Sequence, residues 1–497
     1  MGKRPAFDEI MGMTGDAPPR PEMTALSRWI DDTPGDELRR RQQAAETTFR
    51  QLGITFAVYG ESDAAERIIP FDIVPRVFLA SEWARLSEGL VQRVEAINAF
   101  LDDIYGERRI LKEGVLPPDL IFGNPQFRPE IAGMRPPHGI WAHICGIDLV
   151  RTGPDDFFVL EDNARTPSGV SYMLENREAM LRLCPELFRE FRVAAVDSYP
   201  DRLLETMRSV APHGARRDPV CVVLTPGHYN SAYYEHSFLA DSMGIELVEA
   251  ADLIVDDDIV WMRTIAGRVK VDVIYRRVDD DFLDPLVFRP DSMLGVPGLI
   301  AAYAAGSVAI INAPGNGIAD DKAIYSYMPE IVRFYSGSDA KLPNVETWRC
   351  REPQALSYVL DNLSEVVVKL VDGSGGHGML VGPTASKAEI ERFRAALVAE
   401  PHRYIAQPTL ALSTVPTLAE SGLAPRHVDF RPFVLTGSKG VQVVPGGLTR
   451  VALREGSLVV NSSQGGGTKD SFVLVDDGSG RQAQTMGGMT QTQGMRL

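Results

Sequence analysis

A run of β-branched residues that carries a lysine into a glycine-rich turn constrains the fold of this chain most strongly. The run is EVVVKLVDGSGGHGM, residues 365–379, and its three valines directly before Lys369 predict a buried strand. The glycines that follow are Gly373, Gly375, Gly376 and Gly378. Because lysine supplies a point charge and glycine lets backbone N–H groups approach oxyanions, this turn is suited to nucleotide phosphates. The alternative is an ordinary glycine-rich hairpin loop.

The composition excludes several classes of protein. The chain has 497 residues, which gives room for more than one domain, and its net charge of −16 leaves no basic excess for a nucleic acid or an anionic membrane. No apolar run is long enough to span a membrane, and the N-terminus lacks the apolar core of a signal peptide. We therefore expect a cytoplasmic enzyme or binding protein. The widely spaced cysteines, expected to be buried reduced thiols, are Cys145, Cys184, Cys221 and Cys350.

Apolar spacing predicts a long helix and then a strand pair in the first third of the chain. Ser81–Tyr105 carries apolar side chains three and four residues apart, with Ser81 as the predicted N-cap and Gly106 as the stop. Gly139–Asn163 alternates like two strands joined by a turn at Thr152–Asp156.

From about Asp218 the pattern changes to an alternation of strands and helices. This alternation predicts a small Rossmann-like α/β layer. The predicted strands are Val220–Leu224, Ile245–Glu249, Val271–Arg276 and Val308–Asn312. The layer lacks GxGxxG, so we do not interpret it as a dinucleotide site.

The last third of the chain is predicted to combine helices with antiparallel strands. We expect helices at Asp320–Tyr335 and Lys387–Ala399, and a strand at Tyr404–Gln407. Strands separated by the turns GSKG and PGG are predicted at Arg431–Leu435, Gly440–Val444 and Leu448–Leu453. The tail, 477–497, has no aromatic residue and is expected to be disordered.

Asp148, Glu161 and Asn163 have the donor types of a magnesium site. Glu161 and Asn163 are two apart on a predicted strand, so they point to the same face. Asp148 lies on the preceding strand of the same hairpin. Two carboxylates and an amide oxygen form a hard-oxygen set suited to Mg²⁺. The alternative is a solvated turn.

Two further positions are ambiguous by pattern alone. Lys322, in GNGIADDKAIYSYM at a predicted helix start, either holds phosphate or is an ordinary surface lysine. Gln407 belongs to the strand YIAQP, 404–408, which either pairs its backbone with an adenine edge or is an ordinary core strand.

Taken together, these features resemble the ATP-grasp fold, in which two lobes hold ATP between them. The carboxylate cluster precedes the glycine loop by about two hundred residues, an order that resembles the circularly permuted ATP-grasp type 2 family and is similar to the synthetase half of glutathionylspermidine synthetase. The resemblance covers roughly residues 55–475. The phrases that carry it are FRPEIAGMRPPHGIWAHICGIDLVR (127–151), VLEDNARTPSGVSYMLENR (159–177), TPGHYNSAYYEHSFLADSMG (225–244) and VNSSQGGGTKD (460–470).

The resemblance implies a mixed α+β and α/β architecture, a circularly permuted ATP-grasp with a Rossmann-like pre-ATP-grasp layer. It also implies ATP and Mg²⁺ as cofactors. The expected segments are an N-terminal arm with helices (1–54), a part with the metal ligands (55–214), the Rossmann-like domain (215–314), a part with the phosphate lysines and glycine loop (315–476) and the tail (477–497).

The roles of individual residues also follow from the resemblance. Lys322 and Lys369 match the phosphate lysines, and Gln407 lies at the adenine hinge. Asp148, Glu161 and Asn163 match the Mg²⁺ ligands. The loop over the phosphates corresponds to Gly373, Ser374, Gly375, Gly376, His377 and Gly378.

One position departs from the family pattern. Relatives such as glutathionylspermidine synthetase carry an arginine two residues before the metal aspartate, and here that residue is Gly146. Arg165, two residues beyond Asn163, would face the same space if the strand continues. In those relatives the arginine steadies the charge on the transferred phosphoryl group. Arg151 is the other candidate for this role here.

The resemblance implies an ATP- and Mg²⁺-dependent carboxylate–amine ligase that forms an amide through an acyl phosphate. The acid and the amine are not identified by the sequence, and small peptides, polyamines or a protein terminus all remain open. The rival hypothesis is a nucleotide-binding scaffold, or a catalytically weak protein acting with a partner, for which Gly146 is the best support. A kinase is disfavoured because HRD and DFG patterns are absent.

Overall fold

The computed structural model describes residues 6–12, 18–57, 66–373, 378–458, 460 and 465–476. The strands, in chain order, are β1 (Thr55–Ala57), β2 (Glu66–Ile68), β3 (Phe71–Phe78), β4 (Ile144–Arg151), β5 (Phe157–Asn163), β6 (Cys221–Leu224), β7 (Glu246–Val248), β8 (Leu253–Asp256), β9 (Ile259–Thr264), β10 (Gly267–Lys270), β11 (Val273–Arg276), β12 (Ala309–Ile311), β13 (Trp348–Arg349), β14 (Val366–Leu370), β15 (Leu380–Val381), β16 (Tyr404–Pro408), β17 (Thr414–Ala419), β18 (Gly422–Gly437), β19 (Gly440–Val451) and β20 (Gly467–Val473).

The α-helices, in chain order, are α1 (Thr24–Asp32), α2 (Gly35–Gln51), α3 (Ala80–Tyr105), α4 (Arg109–Lys112), α5 (Asp119–Phe122), α6 (Val170–Leu183), α7 (Leu187–Glu190), α8 (Tyr199–Ser209), α9 (Tyr233–Met243), α10 (Asp280–Leu283), α11 (Leu299–Ala304), α12 (Lys322–Tyr325), α13 (Met328–Ser336), α14 (Pro353–Asp361) and α15 (Lys387–Ala399). None of the helices in the described part of the chain has both the length and the apolar run needed to cross a membrane.

The largest sheet joins strands from both ends of the chain. Its order is β3-β20-β19-β18-β4-β5, with β17 paired to β18 as well. All neighbours are antiparallel except β20 and β3. Strands β3, β4 and β20 are buried along their whole length. This central sheet therefore forms the core that positions Asp148 and Glu161.

The long helix α3 packs against β18, β19 and α13 through the predicted apolar stripe. Its buried side chains include Leu86, Leu90, Val94, Ile97 and Leu101. Each such side chain contributes on the order of 1.5–3 kcal/mol when fully buried. The helix is confirmed, but Ser81 as its N-cap is wrong, because Leu79 occupies that position. The Glu82 carboxylate accepts a 3.0 Å hydrogen bond from the Leu79 N–H instead.

The C-terminal strands are longer than the sequence predicts. The GSKG turn is confirmed, since Gly437 pairs with Gly440. The predicted turn at PGG is wrong, because β19 runs through it to Val451. The pairing register between β18 and β19 shifts next to Pro432, a residue with no N–H to donate to the ladder. The PGG segment therefore forms a bulge within the β18–β19 strand pair and not a turn between two strands.

The Rossmann-like layer is a parallel sheet of order β12-β11-β6-β7, close to the four strands predicted for it. Helices α8 and α9 pack against this sheet. A separate antiparallel sheet, β10-β9-β8, follows β7 in the chain and was not predicted.

A small antiparallel sheet, β13-β16-β14-β15, carries the strand of Lys369. Its core is completed by α14 and α15. The single helix predicted over 320–335 is instead a 3₁₀ turn at Asn316–Asp320 followed by α12 and α13. Asp321 ends the 3₁₀ turn and caps α12 by accepting from the N–H groups of Ala323 and Ile324. This cap fixes Lys322 as the first residue of α12.

Candidate functional site

A cavity lies between the central sheet and the small sheet. Both charged and apolar side chains line it. The charged ones are Asp148, Glu161, Lys322, Lys369, Asp429 and Arg450. The apolar ones include Leu160, Val345, Val367, Leu370, Met379, Val381, Leu410 and Leu412. Apolar walls around a few convergent charges are typical of a site for a ligand with a flat apolar part and an ionised part.

The two predicted phosphate lysines both line this cavity but belong to different elements, Lys322 to α12 and Lys369 to β14. Lys369 is half-buried near the end of β14. Burial, with the nearby Lys322, lowers the pKa of Lys369 to about 8, although Glu161 and Asp148 act in the opposite direction. Lys322 Nζ donates a 2.6 Å hydrogen bond to the Gly373 carbonyl oxygen and lies 3.5 Å from Glu161 Oε2.

The strand pair β4–β5 carries the three predicted metal ligands, of which Asp148 and Glu161 are among the residues that line the cavity and Asn163 is not. Asp148 is directly opposite Glu161, and Asn163 is opposite Gly146. The side chains of Asp148 and Glu161 approach within hydrogen-bonding distance. Two carboxylates in contact repel each other unless a cation or a proton lies close by. This placement agrees with the same-face argument made from the sequence.

Asp148 is fully buried and held by two arginines. Arg431 donates to both of its oxygens, at 2.5 and 2.8 Å, and Arg450 donates to Oδ2 at 2.6 Å. Arg450 also donates to both oxygens of Asp429, at 2.9 and 2.5 Å. Burial alone would raise the pKa of Asp148, but the two guanidinium groups hold that pKa well below its usual range.

The carboxylate pair fits a hard cation. The Glu161 oxygens lie 3.5 and 3.8 Å from Lys322 and Arg431, too far for hydrogen bonds, so neither of these cations occupies their coordination positions. Asp148 accepts three hydrogen bonds from the two arginines, out of roughly four acceptor positions. The buried Nδ2 of Asn163 has no hydrogen-bond partner in the described part of the chain. Within those residues no three His, Cys, Asp or Glu side chains are placed to hold a metal ion together, so a metal here would need the Asn163 amide, water or phosphate as well.

Gln407 and Gly373, the described start of the glycine loop, also border the cavity. Gln407 is buried on β16 and donates from Nε2 to Thr347 Oγ1 at 3.1 Å. Gly378 has a φ of +68°, a conformation that favours glycine. Gly373 accepts the hydrogen bond from Lys322. The other predicted loop residues, Ser374, Gly375, Gly376 and His377, lie outside the described residues.

The structure does not bring Arg151 into this cavity. Its guanidinium is fully buried, donates to Glu82 Oε1 at 2.6 Å and to the Gly153 carbonyl at 2.9 Å, and lies 3.6 Å from Glu9. It also packs over the Phe157 ring. These contacts make Arg151 a structural ion-pair residue, and its proposed catalytic role is wrong on this geometry.

Arg165 does not face the carboxylates either. Strand β5 ends at Asn163, so the two-residue alternation does not continue to Arg165. The Arg165 Nε lies 3.6 Å from Asp279 and 3.8 Å from Asp320. Asp320 also accepts hydrogen bonds from the N–H groups of Ala164 and Arg165. The expectation that Arg165 points into the space of Glu161 is therefore corrected.

Sequence reasoning missed Asp429, Arg431 and Arg450. Asp429 and Arg450 are paired across β18 and β19, and Arg431 is two residues beyond Asp429 on the same strand. The sequence did contain a signal, because these charged residues lie in strands that are otherwise apolar. An unpaired buried charge is costly, so each of them indicates a buried partner of opposite charge. The sequence alone did not show that their partner would be Asp148.

Comparison with known proteins identifies the family. The sequence profile described as circularly permuted ATP-grasp type 2 matches residues 75–452, most of the chain. The chain belongs to this family. The family and the fold class predicted from the sequence are thereby confirmed.

Similar proteins come from several bacteria. An uncharacterised protein of Synechocystis is 51% identical, over 94% of this chain and 97% of its own length. An uncharacterised protein of Mycobacterium tuberculosis is 50% identical, over 94% of this chain and 84% of its own length. A Frankia alni protein provisionally named a glutamate–cysteine ligase is 43% identical over 94% of this chain, but the match covers only 54% of that protein.

A solved structure with a similar fold is that of a glutathione synthetase-like effector from Globodera pallida in its apo form. The TM-score is 0.55 at 10% identity, and the match covers 89% of this chain and 98% of the other. At this identity the likeness shows the fold alone.

Proposed function

We propose that this member of the circularly permuted ATP-grasp type 2 family is an ATP- and Mg²⁺-dependent carboxylate–amine ligase. The observation that carries the proposal is the meeting of Lys322 and Lys369 with the Asp148–Glu161 pair in one cavity. Lysines suit phosphate oxygens and paired carboxylates suit a divalent cation, and phosphoryl transfer needs both.

The cavity offers a separate surface to each part of ATP. The apolar lining and the buried strand of Gln407 would hold the adenine. Lys322 and Lys369 would hold the phosphates, and Asp148, Glu161 and Asn163 would hold Mg²⁺. When bound, Mg²⁺ supplies charge neutralisation to the phosphate oxygens.

The proposed reaction has two balanced steps. A substrate carboxylate oxygen attacks the γ-phosphorus, the bond from that phosphorus to the β–γ bridging oxygen breaks, and ADP leaves. An amine then attacks the carbonyl carbon of the acyl phosphate, the carbon–oxygen bond to phosphate breaks, and the amine nitrogen gives up a proton. The products are an amide, ADP and phosphate. The protein contributes positioning and charge stabilisation in both steps.

The name of the Frankia relative is consistent with ligase chemistry but does not identify the substrates. That name describes a protein of which this chain matches about half, 54%. The rest of that protein lies outside the match, so glutamate and cysteine are not assigned here. Small peptides, polyamines and protein termini remain the classes of acid and amine to test, and a cytoplasmic location stays an expectation.

Hydroxylamine trapping tests the proposal without knowledge of the amine, because hydroxylamine converts acyl phosphates to hydroxamates. The protein is incubated with ATP, Mg²⁺, hydroxylamine and mixtures of amino-acid and peptide carboxylates, and ADP and hydroxamates are measured by mass spectrometry. We expect ADP release that depends on the acid and matches the hydroxamate formed.

The matched variants are Lys369→Ala, which should lose the reaction, and Lys387→Ala, which changes an exposed lysine of α15 and should keep it. Tight ATP binding with neither ADP nor hydroxamate from any mixture would contradict the ligase. That result would favour the rival hypothesis of a nucleotide-binding scaffold.

A further inference from the structure

Arg431 reaches across the central sheet and occupies the space beside Gly146. Strand β18, which carries Arg431, pairs with β4, and Phe433 is directly opposite Gly146. A Cβ on residue 146 would lie 3.1 Å from Arg431 Cδ, 3.3 Å from Arg431 Cγ and 3.2 Å from Pro167 Cβ. Any side chain at residue 146 would therefore compete with the arginine for this space.

The Arg431 guanidinium still has hydrogen-bonding capacity. It donates from Nε and one terminal nitrogen to Asp148, and from the other terminal nitrogen to the Ser168 carbonyl at 3.3 Å. A guanidinium has five N–H donors. Three are engaged within the described part of the chain, so two remain for an anion.

Glu161 on one side and the segment at Ser168 on the other define the position of the Arg431 guanidinium. One of its terminal nitrogens lies 3.8 Å from Glu161 Oε1, and its side chain is 13% exposed. On the far side, the segment at Ser168 is tied down by Arg277, which donates to Ser168 Oγ at 2.6 Å and to the Pro167 carbonyl at 2.8 Å. Arg431 is thus a fixed, partly accessible cation between the carboxylate pair and this segment.

Arg450 differs from Arg431 in its surroundings. Arg450 is among the side chains that line the cavity described above and Arg431 is not, but the Arg450 guanidinium is more deeply buried and is shared between the carboxylates of Asp429 and Asp148. Its geometry suits a positioning residue that orients Asp148. Arg431 approaches the same aspartate from the side that also borders Glu161.

We propose that Arg431 is the catalytic cation that contacts the transferred phosphoryl group and the attacking substrate carboxylate, and that glycine at residue 146 is required to admit it. This inference rests on the proposed ligase function. During transfer, negative charge lies on the equatorial phosphoryl oxygens while the phosphorus–oxygen bond to ADP breaks and the one to the carboxylate forms. The two free N–H donors of Arg431 would stabilise that charge, and no proton is transferred.

Aluminium fluoride with ADP and Mg²⁺ is the probe, because it imitates the phosphoryl group in transit. ADP affinity is measured by calorimetry with and without aluminium fluoride. We expect the wild type to bind ADP about tenfold or more tightly with aluminium fluoride present. Arg431→Ala should bind ADP alone as the wild type does, lose the tightening and form hydroxamate about a hundredfold or more slowly.

A rescue experiment and two further variants separate a catalytic role from a structural one. Millimolar guanidinium should restore part of the tightening to Arg431→Ala, because it refills the vacated space. Gly146→Val, which keeps the arginine but displaces it, should lose the tightening without rescue. Arg182→Ala, which changes an exposed arginine of α6, should behave as the wild type. If Arg431→Ala does not fold, Gly146→Val alone carries the test.

The inference and the proposed function fail in different ways. If Arg431→Ala or Gly146→Val keeps the full tightening, or if wild type binds ADP without any tightening, the role of Arg431 is overturned while nucleotide binding stands. If the wild type binds neither ADP nor ATP, the ligase proposal itself falls, and the role of Arg431 falls with it.

Discussion

Lys322 Nζ and the Gly373 carbonyl oxygen are joined by a 2.6 Å hydrogen bond. The backbone N–H of Lys322 also donates to the Val371 carbonyl at 2.9 Å, so the start of α12 is tied to the end of β14 by two bonds. A lysine ammonium has three N–H donors, so Lys322 Nζ can bind a phosphate oxygen and the Gly373 carbonyl oxygen at the same time. Phosphate binding and the first residue of the glycine loop are therefore coupled through a single side chain.

Lys369→Ala should leave the protein folded and weaken ATP binding by about 1.5–3 kcal/mol, the contribution of one hydrogen bond to a charged group. The reason is the position of its ammonium group in the cavity that also holds Lys322 and Glu161. Calorimetry measures the affinity, and a thermal melt checks the fold. Lys387→Ala is the control, and a folded Lys369→Ala protein with wild-type affinity would remove Lys369 from the site.

ATP binding should take up protons near pH 8. The pKa of Lys369 is lowered to about 8 in the free protein, so around this pH a large fraction of the lysine is neutral. Phosphate favours the charged form and raises that pKa, so binding draws in a proton and weakens as the pH rises through 8 to 9. Calorimetry in buffers of different ionisation enthalpy measures the uptake. Lys369→Arg stays charged and should show none, and equal uptake by both proteins would refute the assignment.

Glu161→Gln should increase the Mg²⁺ concentration needed for ATP binding, and Asn163→Ala should do so to a smaller extent. In the proposed site Glu161 would be a charged ligand, with no hydrogen bond to Lys322 or Arg431, while Asn163 would be a neutral one. The readout is ATP affinity across a Mg²⁺ titration. Glu365→Gln makes the same chemical change at an exposed residue just before β14 and should have no effect. An unchanged titration in both site variants would leave the cluster with a structural role only.

Asp320→Asn should change how stability depends on pH. Burial raises the pKa of Asp320 to about 6, although Arg165 and two backbone N–H groups act against this. The native state thus holds the proton more tightly than the unfolded chain, so the wild type should lose up to about 3 kcal/mol of unfolding free energy as the pH rises from 4 to 6. The asparagine side-chain oxygen can still accept the hydrogen bonds from Ala164 and Arg165, but the amide does not ionise. Asp320→Asn should therefore remove this loss of stability.

Urea unfolding at several pH values measures that difference for Asp320→Asn, with Asp361→Asn, an exposed residue of α14, as the control. If the free energy of unfolding depends on pH in the same way for the wild type and for Asp320→Asn, Asp320 ionises normally.

Local patterns in the sequence were enough to place residues that lie on adjacent strands. Asp148 and Glu161 belong to one hairpin, so the sequence places them on neighbouring strands, and a register shift between Asp148 and Leu149 sets them directly opposite each other. Lys369 was found because its strand is short, apolar and followed by glycines. These predictions needed only the two-residue period of a strand and the positions of turns.

The rest of the site depends on contacts that are distant in the chain. The alternation that would have aimed Arg165 at Glu161 ends where Asp320 takes the N–H groups of Ala164 and Arg165, 156 and 155 residues away in sequence. Arg431 reaches Asp148 only because β18 pairs with β4. A single sequence does not contain that pairing, so the contact between Arg431 and Asp148 was not predictable.

The ion pairs of Asp148 can form only late in synthesis of the protein. Arg431 and Arg450 follow Asp148 by 283 and 302 residues, and at ordinary translation rates of about 5–20 residues per second the ribosome takes roughly 15–60 s to reach them. Until both arrive, the aspartate lacks the two guanidinium groups that donate hydrogen bonds to it in the core. A nascent or truncated chain that stops before β18 must keep this hairpin hydrated, which exposes its apolar strands to chaperones and proteases.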